Sequence, residues 1–358
     1  MKKVLVGMSG GIDSSVAALL LKRAGYEVEG ITMLIWAKDS PYPMPASANS
    51  CYNPNKEDEL PEIERICNLI GMKHHVVDVS RLYESTVLEN FRSEYLNGRT
   101  PNPCIWCNTK IKFGAMLDEA RKTLDFDYFA TGHYARIDLG DNGRYQLRKA
   151  VDLKKDQSYF LSRLTQEQLS QTLFPLGNLT KDEVRKIDEE MLFHKPGQRE
   201  SQDFYGGDYT DLLSVKDRKG KIILLDNGKE LGKHNGFWHY TIGQRKGLGI
   251  AYSEPLYVVK LDPKTNTVVV ATEGYTRQRK VFLKDIAWVG DSSFDEEKVY
   301  SSKIRSTSPG AASKAYMSSS GPVLEFFEDV KAATPGQSAV IYDGDRVVAS
   351  AVIESAEK

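Results

Sequence analysis

Residues 4–8 form a short apolar run that breaks into Ser9-Gly10-Gly11. Beyond the break, Val16, Leu19 and Leu20 recur with Ala17, Ala18 and Leu21 among them. The run predicts a buried strand, and the recurrence over 14–24 predicts a buried helix. The glycines supply a turn too tight for residues that carry a Cβ. The same rhythm predicts strands at 27–33, 75–79 and 128–131, and helices at 62–70, ending at Gly71, and 111–124. Strand and helix in alternation predict an α/β fold with a doubly wound parallel sheet and ligands at the carboxyl ends of its strands. Five prolines among residues 38–61 predict a long loop near that edge. A helical stretch follows over 165–191, with a capping signal at Thr180-Lys181-Asp182-Glu183.

Past residue 210 the pattern changes to short strands and Gly/Asn/Asp turns, at 222–226, 256–261 and 267–271. From 281 onward it is β-rich again, with a hairpin around Asp343-Gly344-Asp345. The expected division is 1–209, an α/β domain with a helical extension; 210–278, a small central β domain; and 279–358, a C-terminal β-barrel.

Composition narrows the class. At 41% hydrophobic and 27% charged residues the chain reads as soluble and globular, and no apolar run approaches the roughly 18 residues of a membrane span. The apolar run after Met1-Lys2-Lys3 is too short for a signal-peptide core, so a cytoplasmic protein is expected. A net charge of −1 identifies no partner, so a nucleic-acid surface would have to be a local patch. The four cysteines, Cys51, Cys67, Cys104 and Cys107, suit thiol or metal chemistry better than a disulfide framework.

Two segments carry chemistry. A strand, a Gly-rich turn and a helix start aim several backbone N–H groups at one point, which suits an anion. The turn has no Gly-Lys-Ser/Thr ending; instead Asp13 opens the helix, where it can hold Mg²⁺ on a bound polyphosphate. Ser-Gly-Gly-Ile-Asp-Ser resembles the loop of ATP-pyrophosphatases, which cut ATP between its α and β phosphates. The second segment is Thr100-Pro-Asn-Pro-Cys-Ile-Trp-Cys-Asn108. Its Cys-x-x-Cys precedes a helix carrying Lys110 and Lys112, a setting that predicts a lowered thiol pKa. No second pair of Cys or His stands at zinc-finger spacing. Cys67 falls on an apolar helix face and reads as core; His74 and His75 read as structural, and His234 and His239 as either ligand contacts or turn packing.

Five motifs stand in the order found in tRNA-specific 2-thiouridylases: SGGIDSS at 9–15, TPNPCxxCNxxIKFG at 100–114, ATGHYAR at 130–136, KDQSYFL at 155–161 and YTIGQRKGL at 240–248. The chain resembles that family from Lys3 to the Pro335-Gly336-Gln337 stretch. The resemblance implies an ATP-dependent enzyme that 2-thiolates the wobble uridine of tRNAs for Lys, Glu and Gln. It implies ATP on Gly7, Met8, Ser9, Gly10, Gly11, Ile12, Asp13 and Ser14, with Met33 at the adenine and Gly132 lining the nucleotide. It implies that Asn102, Pro103 and Cys104 meet the target base and that Cys107 is the persulfide-bearing nucleophile. Further tRNA contacts are implied for His133, Lys155, Asp156, Gln157, Arg305, Ser306 and Gln337; Ser306 stands where the family has a Tyr. A sulfur donor, either a cysteine desulfurase or a sulfur carrier, is implied as partner.

One departure bears on mechanism. The family carries a second catalytic cysteine after Ser-Gln-Asp/Glu, whereas here Ser201-Gln202-Asp203 continues as Phe204-Tyr205-Gly206. Two routes remain. Cys104 resolves the persulfide on Cys107, or Cys51, Cys104 and Cys107 ligate a [4Fe–4S] cluster whose open iron carries hydrosulfide. Two other classes stay open at this level: a carbon–nitrogen ligase with the same loop, needing no cysteine, and a tRNA-binding module without catalysis.

Overall fold

The computed structural model describes residues 1–42, 50–52, 55–195 and 204–358. The chain forms two compact units. The first comprises 1–87, 104–208 and 345–347, and the second comprises 88–103, 209–344 and 348–358.

In the first unit, β1 (Lys3–Gly7), α1 (Ile12–Arg23), β2 (Glu27–Leu34), α2 (Lys56–Ile70) and β3 (His74–Asp78) alternate as the apolar pattern predicts. They continue into β4 (Tyr128–Ala130), a hairpin of β5 (Ala135–Leu139) and β6 (Tyr145–Lys149), and β7 (Thr172–Leu173). Strands β3-β2-β1-β4-β7 pair in parallel in that order. Helix α1 is buried on nearly every face. Leu19 and Leu21 join Val4, Val6, Ile63 and Ile66 in one core, and Val16 and Ala17 join Tyr134, Leu176 and Val184 in another. Cys67 is 1% exposed within the first of these cores, as its helix face predicts.

Three local departures have physical causes. The loop predicted over 38–61 is shorter, because α2 begins at Lys56. Glu57, Asp58 and Glu59 favour the positive end of its dipole, and Pro61, the sixth residue, costs the helix one hydrogen bond. The stretch 165–191 is two helices, Gln166–Ser170 and Lys181–Met191, separated by β7 and a Pro175–Gly177 turn. A Cβ at Gly177 would lie 1.9 Å from the Ala135 carbonyl oxygen, so the chain passes there backbone against backbone. Residues 107–115 form a π-helical turn ahead of a short helix, Met116–Ala120, where one longer helix over 111–124 is expected from pattern.

The second unit holds a four-stranded sheet, β10-β11-β8-β9, from β8 (Gly220–Leu224), β9 (Glu230–His234), β10 (Leu256–Asp262) and β11 (Thr267–Thr272). It also holds a closed antiparallel barrel of six strands: β12 (Arg277–Trp288), β13 (Tyr300–Lys303), β14 (Ala311–Ser318), β15 (Gly321–Lys331), β16 (Ser338–Asp343) and β17 (Arg346–Glu357). The β12–β17 pairing closes it around Val281, Leu324, Phe326, Ile341 and Ile353.

Candidate active site

The carboxyl ends of β2, β1 and β4 lie side by side, and they carry Met33, the loop from Gly7 to Ser14, and Gly132. The loop is held by its carbonyls. Thr32 donates to the Met8 carbonyl at 2.8 Å, Lys56 Nζ to that of Ser9 at 2.6 Å, and His194 Nε2 to that of Gly10 at 3.0 Å. His74 Nε2 meets the Thr32 hydroxyl at 2.8 Å, which gives this histidine the structural place expected of it. Gly10 takes a φ of +83°, a conformation that favours glycine. The α1 N-cap is Gly11, and no side chain caps it. The first N–H groups of α1 therefore have no intrahelical acceptor and remain for an anion. Gly132 has no room for a side chain: a Cβ there would lie 2.6 Å from the Asp13 carbonyl carbon and 2.8 Å from the Ser14 nitrogen.

Asp13 sits between two residues that pattern reading passed over. Lys181 Nζ and the Tyr134 hydroxyl both donate to its Oδ1, at 2.7 and 2.8 Å. Tyr134 is fixed by Gln157, whose Oε1 accepts the Tyr134 N–H and whose N–H donates to the Tyr134 carbonyl, both at 2.9 Å. Asp156 accepts from the Ala150 and Ser158 N–H groups and from the Ser158 hydroxyl. Asp156 and Gln157 thus brace this side of the loop. A sequence signal for Lys181 exists: a lysine at the first position of a helix opposes the dipole, which asks for a local reason.

The thiols occupy the same unit. A short helix, Pro103–Trp106, runs into the π-helical turn that Cys107 opens. Gln168 Nε2 donates to the carbonyls of Thr109 and Phe113, both at 2.9 Å, and Asn108 to that of Phe160 at 3.0 Å. Such widened turns recur at functional sites. Cys104 and Cys107 are half-buried, Cys51 is exposed, and none of the three is in a disulfide. Burial pushes the Cys107 thiol up to about 11, and the nearby Lys112 only partly opposes this. The lowered value predicted from a helix start and cations is therefore corrected, because loss of hydration outweighs the cation. Tyr83, 1% exposed and stacked on Tyr52 at 5.6 Å, is within electrostatic reach of Cys107, Cys51 and Cys104. Even so, among the described residues no three His, Cys, Asp or Glu side chains are gathered to hold a metal ion. The donor set of the cluster route does not fit. The Ser201-Gln202-Asp203 motif lies outside the described residues.

The implied RNA contacts divide. His133 is half-buried, its Nδ1 2.7 Å from the Thr131 hydroxyl, and loss of hydration holds its pKa well below the usual histidine value. A neutral ring there is a base or hydrogen-bond partner and not a phosphate-binding cation. In the second unit, Gln337 Nε2 donates to the carbonyls of Thr100 and Pro101, both at 3.0 Å, and so braces the segment that leads into Asn102 and Pro103. Gly336, at φ +91°, leaves only 2.9 Å between a Cβ and the Thr100 nitrogen, so the same segment rests against bare backbone. Arg305 turns inward, donating to the carbonyls of Ile242 and Ala332, at 3.1 and 2.9 Å, and to the Thr334 hydroxyl. Ser306, beside it, is partly exposed, and Arg245 and Lys246 are exposed.

Comparison with known proteins agrees with this architecture. Residues 2–205 match the family described as the tRNA methyl transferase HUP domain, 212–272 the tRNA methyl transferase PRC-barrel domain, and 278–353 the aminomethyltransferase beta-barrel domain. The tRNA-specific 2-thiouridylase MnmA of Endomicrobium trichonymphae is 43% identical over 358 residues, covering 98% of each chain. The protein of the same name from Halothermothrix orenii is 41% identical, covering 99% of each. That of Picosynechococcus sp. is 43% identical, covering 100% of this chain and 99% of its own. Identity at this level over the full length, with each motif on the element it needs, places the chain in the tRNA-specific 2-thiouridylase family.

Proposed function

We propose that this protein is an ATP-dependent tRNA 2-thiouridylase acting in the cytoplasm on the wobble uridine of tRNAs of the Lys, Glu and Gln type. One observation carries the reading: the first unit combines an uncapped, acid-bearing anion loop with a half-buried Cys-x-x-Cys that opens a π-helical turn. A carbon–nitrogen ligase with the same loop has no use for the thiols, and a binding module has no use for the loop.

Uridine O2 is a poor leaving group. In the first step it attacks the α-phosphorus of ATP, and pyrophosphate departs. Asp13, whose carboxylate faces the protein only through Oδ1 among the described residues, fits a Mg²⁺ ion arriving with ATP. That ion supplies neutralisation of the polyphosphate charge. The terminal sulfur of a Cys107 persulfide, loaded by a cysteine desulfurase or sulfur carrier, then attacks C2; the C2–O bond breaks, and AMP leaves with the oxygen. Cys107 is now joined to C2 through two sulfurs. The Cys104 thiolate attacks Cys107 Sγ, the S–S bond breaks, and 2-thiouridine leaves as its anion. A Cys104–Cys107 disulfide remains, and a cellular thiol returns the two electrons. No step is drawn through an iron–sulfur cluster, since its donors are not gathered. Extruding the base from an anticodon loop costs about a few kcal/mol.

The test supplies the purified chain with ATP, tRNA and a persulfide donor, and analyses the RNA by mass spectrometry. Formation of 2-thiouridine is expected, retained in Cys51→Ala and lost in Cys104→Ala. Absence of thiolated uridine in the unaltered chain would refute the function. Loss of activity in Cys51→Ala would return the cluster route to consideration.

tRNA affinity is expected to fall with salt, with a log–log slope of roughly −0.9 per phosphate neutralised in duplex regions. Lys155→Ala, Arg245→Ala and Lys246→Ala should each make the slope shallower by about one phosphate's worth. Arg305→Ala should leave the slope alone and lower the melting temperature instead, because its guanidinium bonds inside its own unit. A salt-independent affinity would overturn this reading.

A further inference from the structure

The anion loop has no lysine of its own, but the fold delivers one from 168 positions away. The Lys181 side chain is 5% exposed and its ammonium lies 2.7 Å from Asp13 Oδ1, while the Asp13 side chain is 31% exposed. The placement is built from the backbone outward. Thr180 and Glu183 form a capping box that starts the helix Lys181–Met191. The Lys181 N–H donates to Asp152 Oδ2 at 3.0 Å. The ammonium also stands 5.8 Å from the centre of the Tyr134 ring, whose hydroxyl is the second donor to the same Asp13 oxygen. A buried ammonium at the positive end of a helix is unfavourable in itself, so its position depends on the carboxylate it meets.

We infer that Lys181 is a positioning residue for ATP binding, acting through Asp13. A carboxylate in an anion-binding loop repels the polyphosphate that the loop must accept. Lys181 cancels that charge, and together with Tyr134 it fixes Oδ1, so that Oδ2 is the oxygen turned toward an incoming metal–polyphosphate. The lysine that other nucleotide loops carry in sequence is here supplied in space, and its first partner is the loop's own acid. The inference rests on the proposed ATP-dependent activity, but binding of ATP tests it without tRNA or sulfur.

The experiment measures ATP affinity of the full chain in excess Mg²⁺ by calorimetry, with thermal melting of the ATP-free protein as a control for folding. Lys181→Met is expected to weaken ATP binding about tenfold or more, and Lys181→Arg to restore most of the loss. Asp13→Asn removes both the metal-facing oxygen and the repulsion. Adding Lys181→Met to Asp13→Asn should therefore weaken binding by less than about threefold, a non-additivity that a merely structural lysine does not produce. If Lys181→Met does not fold, Lys181→Gln, which keeps a donor without the charge, carries the same expectation. Unchanged affinity in a folded Lys181→Met or Lys181→Gln protein would overturn the inference, as would fully additive losses in the double variant. Failure of the unaltered chain to bind ATP would overturn the proposed function, and this inference with it.

Discussion

Cys107→Ser is expected to abolish 2-thiolation, by about 10⁴-fold or more on the scale of nucleophile removal, while tRNA still draws pyrophosphate from ATP. Serine keeps the size and much of the hydrogen bonding of cysteine but cannot hold sulfane sulfur. Adenylation uses the loop at 9–14, which the substitution does not touch. The raised thiol adds a second measurable consequence. With a pKa pushed up to about 11, most Cys107 is protonated at neutral pH. Its ionised fraction rises about tenfold per pH unit until pH approaches the pKa. Alkylation of Cys107 in a Cys51→Ser, Cys104→Ser background should therefore accelerate continuously from pH 7 to pH 10. A plateau below pH 8 would restore the low-pKa thiolate that the sequence suggests. Thiolation by Cys107→Ser at an ordinary rate would remove the residue from the chemistry.

The frame of the first unit was legible because Val4–Val6 in β1 and Val16–Leu21 in α1 are unbroken apolar blocks, and burial on nearly every face of α1 needs no finer pattern. Gly71, whose left-handed φ of +74° ends α2, was legible for the same local reason. What escaped was short, or depended on distant partners. Strand β7 has two residues, too few for any alternation to register, and it exists because Phe129 and Ala130 offer it a free edge. Strand β9, Glu-Leu-Gly-Lys-His, carries no apolar alternation and is specified by pairing with β8. The π-helical turn at Cys107 depends on Gln168 reaching two of its carbonyls, a contact some sixty positions away in sequence.

The site divided along the same line. Motif reading singled out Asp13 and Gly132, which lie at the carboxyl ends of β1 and β4, and Cys107 in its own turn, but not the Lys181–Asp13–Tyr134 contact, which joins three separate segments. The resemblance implies tRNA contacts for Lys155-Asp156-Gln157 and Arg305; the fold adds that Asp156, Gln157 and Arg305 are also bonded within their own units. Charge in a sequence does not reveal which way a side chain turns. Neither does the apparent cation environment of Cys107 reveal how much water its fold removes.

Gly132→Ala is expected to weaken ATP binding about tenfold or more and to lower turnover about a hundredfold, the scale on which misplacement of about an ångström is felt. The cause is steric and local. The added methyl would stand 2.6 Å from the Asp13 carbonyl carbon, 2.8 Å from the Ser14 nitrogen and 2.9 Å from the Asp13 Cβ. Two of these are backbone atoms, so no rotamer change relieves the contact, and either β4's exit or the start of α1 must move. The start of α1 is where the uncapped N–H groups and Asp13 lie, so displacement there disperses donors that act only when convergent. Gly143→Ala is the control: its φ of +73° imposes backbone strain of a different kind in a hairpin turn of the same unit, and nothing lies within 4 Å of the added Cβ. It should lower stability modestly and leave ATP affinity unchanged. Equal ATP affinity in the two variants would show that the close approach of Gly132 does not shape the anion site.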